Sequence, residues 1–344
     1  MNTIYIDPSY KAYYQDKLFD LTDLILNRDD TLGPFAEVRT IKNKQGQDVH
    51  TADYLLEIIA RGEPPPRSRY YSLGSLDNFR KILGLKNVKL ESIAIFEPPI
   101  IDSRPYEILP ELTSTFKNVF VHNISGDGYS LTDVNQSRLR KLYWPLYRKQ
   151  VIEEHWQNKK RLNRIVVING NHRPINRNGE LYSSRIKAMK SFAKYSVIDL
   201  YGRGWSRWYS RSSMWMPYWL NYRTLMSIYK GHCESKYEIL SKYKFSLCFE
   251  NMVMDGYVTE KIFDCFYAGT IPLYLGARDI EKLVPVDTFI DCREFSCWDD
   301  LYDFIMSLSD RDIEIMKFKG KEFMRSDLAS EHYNFLKNFL IQCL

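Results

Sequence analysis

The sequence predicts an α/β protein of two units, each built on a mostly parallel sheet, and three observations carry this expectation. Short apolar runs alternate with helix-like stretches through the first 122 residues. A fresh apolar strand, Arg164-Ile165-Val166-Val167-Ile168, follows a charged connector. Residues 245–274 run strand, polar loop, helix, strand. Strands that alternate with helices pair through crossover connections, which makes the pairing parallel.

In chain order, residues 3–6 read as a short apolar run and 10–27 as an amphipathic helix, followed by segments 53–60, 77–83, 92–96 and 118–122 of alternating type. Pro64, Pro65 and Pro66 beside Gly62 make 61–69 a stiff polar loop rather than a hinge between domains. The boundary falls in 148–163, giving an N-terminal domain at 1–150, a second at 151–330 and an amphipathic helix at 331–344. The second domain opens with the strand at 164–168, the loop Asn169-Gly170-Asn171, a helix over 182–193, a strand over 196–201 and the turn Gly202-Arg203-Gly204. A strand over 245–249 leads through Glu250, Asn251, Asp255 and Gly256 into a helix expected over 257–267, with Thr259 near its start. In the last helix Phe335, Leu336, Phe339 and Leu340 share one broad face, which can dock on the protein or lie on a membrane surface; docking is the commoner use.

Composition excludes several classes. With 344 residues, 44% hydrophobic, 26% charged and only 16 Gly and 14 Pro, the chain is neither collagen-like, mucin-like nor wholly disordered. It shows neither an N-terminal export signal nor a run of about 18 apolar residues, so a cytoplasmic protein is expected. The six cysteines lack paired metal-type spacing and read as reduced thiols. The net charge of +5 hides an uneven distribution: residues 136–232 hold 20 Lys or Arg against 4 Asp or Glu, and the rest of the chain is acidic. Such a basic middle attracts either a polyanion or a phosphate-bearing small molecule.

Local motifs narrow the choice. Gly202 and Gly204 lack the third glycine of a dinucleotide fingerprint. The cluster of Trp205, Trp208, Trp215 and Trp219 with Arg203, Arg207, Arg211, Tyr209 and Tyr218 fits base stacking, sugar stacking or plain packing, with packing the leading reading. The loop and helix start around Thr259 sit where open α/β sheets bind ligands, and a helix N-terminus there favours an anion. Glu260 and Lys261 supply a carboxylate for hydroxyls and an ammonium for phosphate.

Phe249-Glu250-Asn251, then Gly256-Tyr257-Val258-Thr259-Glu260-Lys261-Ile262, with Gly269-Thr270-Ile271-Pro272-Leu273-Tyr274 and Phe289-Ile290-Asp291 downstream, resembles the signature of the alpha-1,3-fucosyltransferase family. The resemblance is strongest over 242–295 and extends to 165–204; Leu275 stands where the family often has Trp. It implies a GT-B architecture, two Rossmann-like domains facing a cleft, the C-terminal one for GDP-fucose and the N-terminal one for the acceptor. By the same resemblance Arg185 and Lys261 bind the diphosphate, and Asn251, Tyr257 and Glu260 contact the donor, Glu260 through hydroxyls of the ribose or the transferred sugar; Asn171, in the loop after the first strand of the second domain, is a further donor-binding candidate. Glu97, after the apolar residues 93–96, is the candidate general base, with Asp102 and Glu91 as substitutes; the family glutamate has a proline nearby, matched here by Pro105. His122 and His172 are expected to be structural, as lone histidines usually are.

The resulting expectation is an inverting glycosyltransferase that moves L-fucose from GDP-fucose to a hydroxyl of a GlcNAc- or glucose-type acceptor, an oligosaccharide or lipid-linked glycan, in bacterial surface polysaccharide synthesis. The alternatives are another GDP-6-deoxy sugar as donor or, in a different class, a nucleic-acid-binding protein using the basic, Trp-rich middle. The leading reading requires no cofactor or metal and assigns a divalent cation at most a stimulatory part. It places the protein in the cytoplasm, leaves the last helix as the element that can make peripheral contact at the inner membrane, and gives the protein no nucleic-acid partner.

Overall fold

The computed structural model describes residues 92–146, 150–158, 160–174, 177–206, 215–233 and 235–343, with backbone alone at 40–42, 48–50, 92–93 and 336–343. The readings for 3–27, 53–69 and 77–83, and for Glu91, Arg207, Trp208, Tyr209 and Arg211, lie outside the described residues. Two compact units emerge: one takes the described residues up to Phe96, Ser103–Tyr147 and those from Asn334 onward, the other takes Glu97–Asp102 and Arg148–Tyr333.

In the first unit β1 (Thr40–Lys42) pairs antiparallel with β2 (Asp48–His50). A separate parallel sheet has the order β3 (Ser92–Ala94), β4 (Asn118–Val121), β5 (Leu139–Lys141). Helices α1 (Arg104–Glu107) and α2 (Leu109–Thr115) contribute Tyr106, Leu109 and Leu112 to a core shared with Ile95, Val119, Val121 and Leu139. Pro105 and Pro110 open these helices, where a missing N–H costs nothing. The strand expected over 92–96 is shorter, ending at Ala94.

The second unit carries a six-stranded, wholly parallel sheet. Its elements are α3 (Glu153–Trp156), β6 (Leu162–Ile168), α4 (Tyr182–Ala193), β7 (Ile198–Tyr201), α5 (Met216–Leu220), α6 (Tyr222–Ile228), β8 (Tyr229–Gly231), α7 (Lys236–Leu240), β9 (Tyr243–Phe249), α8 (Glu260–Ala268), β10 (Ile271–Leu275), β11 (Ile290–Asp291), α9 (Trp298–Ser307) and α10 (Asp310–Phe323). The strand order is β11-β10-β9-β6-β7-β8, so the chain runs outward from β6 to one edge and returns to build the other half from β9. That is the order of a doubly wound Rossmann sheet, with its switch point between β6 and β9. Ile165, Val167, Ile198, Leu200, Phe245 and Leu247 pack on α4, α6 and α9 through Met189, Phe192, Leu225 and Leu301. Near-continuous apolar runs in β6 and β9 are what a sheet covered on both faces requires.

Two of these sequence readings are corrected. The helix expected over 257–267 begins at Glu260, because Gly256 (φ 74°) turns the chain and the Glu250 carboxylate holds Thr259 as the N-cap residue, leaving Tyr257 in the loop. The last helix, α11 (Asp327–Cys343), starts before residue 331. Its Phe335 is buried and packs edge-on against Phe96 at 6.3 Å and Phe120 at 5.7 Å. In keeping with the missing third glycine, Gly202 (φ 138°) serves packing, since a side chain there would strike the Asn169 carbonyl. Among the described members of the Trp-rich stretch, Trp205 and Tyr218 are core residues, with the Tyr218 hydroxyl donating to the Trp205 carbonyl at 2.6 Å. No helix among the described residues is long and apolar enough to cross a membrane.

Candidate functional site

The switch point brings together the loops after β6 and β9. The loop after β6 is stitched to the turn after β7: Asn169 N–H donates to Tyr201 O at 3.1 Å, Asn171 N–H to Arg203 O at 2.9 Å, and the Trp205 indole N–H to Asn169 O at 2.6 Å. Asn171 is buried, its amide nitrogen reaching Gly204 O at 3.3 Å while its side-chain oxygen has no hydrogen-bond partner. A buried polar atom left open at a sheet switch point marks a place for a ligand.

On the other side of the switch point, Glu250 follows the last residue of β9 and is fully buried. Its Oε1 accepts from the Thr259 N–H at 2.8 Å; its Oε2 accepts from the Thr259 hydroxyl at 2.8 Å and from Lys261 Nζ at 3.0 Å. Lys261 also donates to Thr259 Oγ1 at 2.7 Å and lies 3.7 Å from Glu260 Oε1. Burial alone would lower the lysine pKa, but Glu250 and Glu260 outweigh it and hold the ammonium above its ordinary value. The start of α8 is thus already engaged by an internal carboxylate at Thr259, so part of the anion-favouring helix end expected from sequence is met from within the chain. Glu250, quoted in the motif but given no role, is the residue that reading missed; its signal was a carboxylate directly after a buried strand, facing a Thr-Glu-Lys helix start.

Arg185 lies on α4, buried, and donates from one terminal nitrogen to Phe249 O at 2.7 Å and Glu250 O at 3.1 Å. Its Nε is buried without a hydrogen-bond partner, and its guanidinium lies 5.3 Å from the Tyr182 ring centre. Burial pulls its pKa below the ordinary value, with Tyr182 and Glu250 opposing. Arg185 and Lys261 therefore hold the same residue, Arg185 by its backbone carbonyl and Lys261 by its fully buried carboxylate, so two cations meet one internal carboxylate. A site with this balance and an open Arg185 Nε–H accepts further negative charge.

Tyr257 is buried in the loop, and its hydroxyl accepts from the Asn251 side-chain amide at 3.4 Å. Burial, and then the charges of Glu250, Glu97 and Glu260, push the Tyr257 pKa well above 10. Tyr182 rises to about 12, through burial first; Arg185 and Lys261 oppose this and Glu97 adds to it. Glu97 thus lies within electrostatic reach of both tyrosines, in the Glu97–Asp102 segment that belongs to this unit. The turn that carries it closes through Ile101 N–H and Asp102 N–H on Pro98 O, at 2.9 and 3.2 Å. Ile100 packs with Met252, Met254 and Tyr257 in one small apolar cluster. Asn171, Arg185, Asn251, Tyr257, Glu260 and Lys261 accordingly surround the carboxyl ends of β6 and β9, with Glu97 near them. His122 belongs to the first unit, where its Nε2 bonds Phe96 O at 2.9 Å and its ring stacks on Trp144. His172 is exposed beside Asn171.

Comparison with known proteins gives partial matches to fucosyltransferases. The alpha-(1,3)-fucosyltransferase FucT of Helicobacter pylori is 43% identical over 75 residues, 22% of this chain and 16% of that enzyme. GDP-fucose protein O-fucosyltransferase 3 of Xenopus laevis is 31% identical over 137 residues, 40% of this chain and 27% of that protein. These matches therefore span less than a third of either relative. Among solved structures TarM superposes with a TM-score of 0.53 at 14% identity, over 78% of this chain and 53% of its own, a likeness of fold that makes this a GT-B protein. The model of "Glycosyltransferase family 10 (fucosyltransferase) C-term" matches residues 156–334, more than half of the chain. The protein belongs to glycosyltransferase family 10, the fucosyltransferase family.

Proposed function

We propose that this protein transfers L-fucose from GDP-fucose to a hydroxyl of a GlcNAc- or glucose-type glycan, oligosaccharide or lipid-linked, with inversion at the anomeric carbon. The observation that carries the proposal is the meeting of Arg185 and Lys261 on Glu250 at the switch point. Breaking the bond between sugar and phosphate leaves its electron pair on GDP, and two buried cations beside the diphosphate stabilise that leaving group; each charge-assisted hydrogen bond contributes about 1.5–3 kcal/mol. Glu97 takes the proton of the acceptor hydroxyl as its oxygen bonds to the anomeric carbon, so a β-linked donor becomes an α-linked product. A positioned base contributes about 10²–10⁴-fold in rate. Asn171, Asn251, Tyr257 and Glu260 orient the donor. With the leaving-group charge carried by side chains, a divalent cation is at most stimulatory. Assembly of a bacterial surface polysaccharide, such as the O-antigen of lipopolysaccharide, is the setting this reading suggests.

The test is a panel of GDP- and UDP-sugars scored by donor hydrolysis and thermal stabilisation. GDP-fucose should stand out, and Lys261→Ala should abolish both signals. Glu97→Gln should keep GDP binding and lower transfer by about 10²–10⁴-fold. A preference for another GDP-6-deoxy sugar would move the donor assignment while keeping the chemistry; a folded protein that ignores every GDP-sugar would end it.

A further inference from the structure

Helices α5 and α6 bury one apolar stripe and expose another. Apart from a tight turn at Asn221, residues 215–228 follow one helical course, with Asn221 N–H bonded to Tyr218 O at 3.1 Å and Leu225 N–H to Asn221 O at 2.9 Å. Tyr218, Leu225 and Ile228 face the core. Met216, Trp219 and Leu220, spaced i, i+3, i+4, are 62%, 49% and 73% exposed, and Arg223 continues the same stripe into solvent. The helical surface turned away from the core is therefore apolar along its first turn and cationic beyond it. Large exposed apolar side chains grouped in this way mark an interaction surface.

We propose that this stripe docks the protein on the interface of an anionic phospholipid bilayer. From Tyr201 to Cys233 the sequence contains four Arg, one Lys and not one Asp or Glu; among the described residues Arg203 and Arg223 are exposed, and Lys230 lies 3.5 Å from Asp199. Trp and Leu beside Arg, with no carboxylate near in sequence, is the chemistry of a segment that lies in the headgroup layer, the indole at the interface and the cations on lipid phosphates. A second copy of the chain fits less well, because a two-fold interface through this stripe would bring Arg223 towards its own copy. A sugar fits less well, because Met216 and Leu220 flank the indole where groups that accept from hydroxyls would be needed. The last helix, which sequence alone offers for membrane contact, uses Phe335 against Phe96 and Phe120 instead. Docking through α5 would bring the enzyme to acceptors carried on lipid, yet the inference stands on exposure and charge, independently of the donor.

The experiment is co-sedimentation of the full chain with vesicles of phosphatidylcholine alone and of phosphatidylcholine with phosphatidylglycerol at three to one. Binding should require the anionic lipid, weaken with salt, and fall about tenfold in Leu220→Glu and in Met216→Ser/Trp219→Ser, with donor hydrolysis unchanged. Arg223→Glu should weaken binding and flatten its salt dependence. Equal binding to both vesicles, or anionic binding unaffected in every folded variant, overturns the proposal. So does a concentration-dependent dimer that Leu220→Glu dissociates while the wild-type chain ignores vesicles.

Discussion

At the scale of single residues, Glu250 explains how two cations persist beneath a sheet. A buried ion pair is close to neutral when whole and strongly destabilising when one partner is removed, by about 3–5 kcal/mol, because the other charge is stranded. Glu250→Gln and Lys261→Met should each cost that much in urea unfolding, while the double variant should cost much less than their sum. An additive cycle would mean that Glu250 and Lys261 act separately despite their 3.0 Å contact. Donor binding should fail in both Lys261→Met and the double variant, which separates the lysine's contribution to the ligand from its contribution to the fold. Sequence placed Lys261 and Glu260 through a known pattern, yet left Glu250 without a role. Its burial depends on the register of β9 beside β10, where its N–H meets Leu275 O at 2.8 Å, and no local pattern encodes that pairing.

Among the elements, one carboxylate ties four adjacent strands. Asp199 on β7 accepts from Arg164 of β6 at 2.8 and 3.0 Å and from the Tyr243 hydroxyl of β9 at 3.0 Å, and lies 3.5 Å from Lys230 of β8. Burial alone would raise its pKa, but Arg164, Tyr243 and Lys230 together bring it below the ordinary 3.8. A carboxyl whose folded pKa is depressed contributes stability above its unfolded value and loses it as pH falls through the folded one. Asp199→Asn should therefore lower the urea midpoint at pH 7 and flatten the decline seen between about pH 5 and pH 2. A variant as acid-sensitive as the wild type would sink this account. The β-branched run of β6 and the period of α4 were legible because they depend on local spacing. The true start of α8 was not, since the group that caps Thr259 comes from a residue nine positions earlier in the chain.

Across the whole molecule, the two units carry separate cores, and this makes their stabilities separable. The first sheet strand of the second unit was readable from the new apolar run at Ile165. That Glu97–Asp102 belongs with the second unit was not, because it follows from Ile100 packing with Met252, Met254 and Tyr257. Phe335 serves the first unit, where it meets Phe96 and Phe120. Truncating a buried Phe to Ala costs about 3–5 kcal/mol, whereas a ligand at about one hundred times its Kd adds about 2.7 kcal/mol to whatever it binds. Calorimetry of Phe335→Ala with and without GDP should then show two transitions, one lowered by the substitution and insensitive to GDP, the other raised by GDP and insensitive to the substitution. A single transition moved by both would mean that the two cores unfold as one cooperative unit, and the donor site would then borrow stability from residues that never touch the nucleotide.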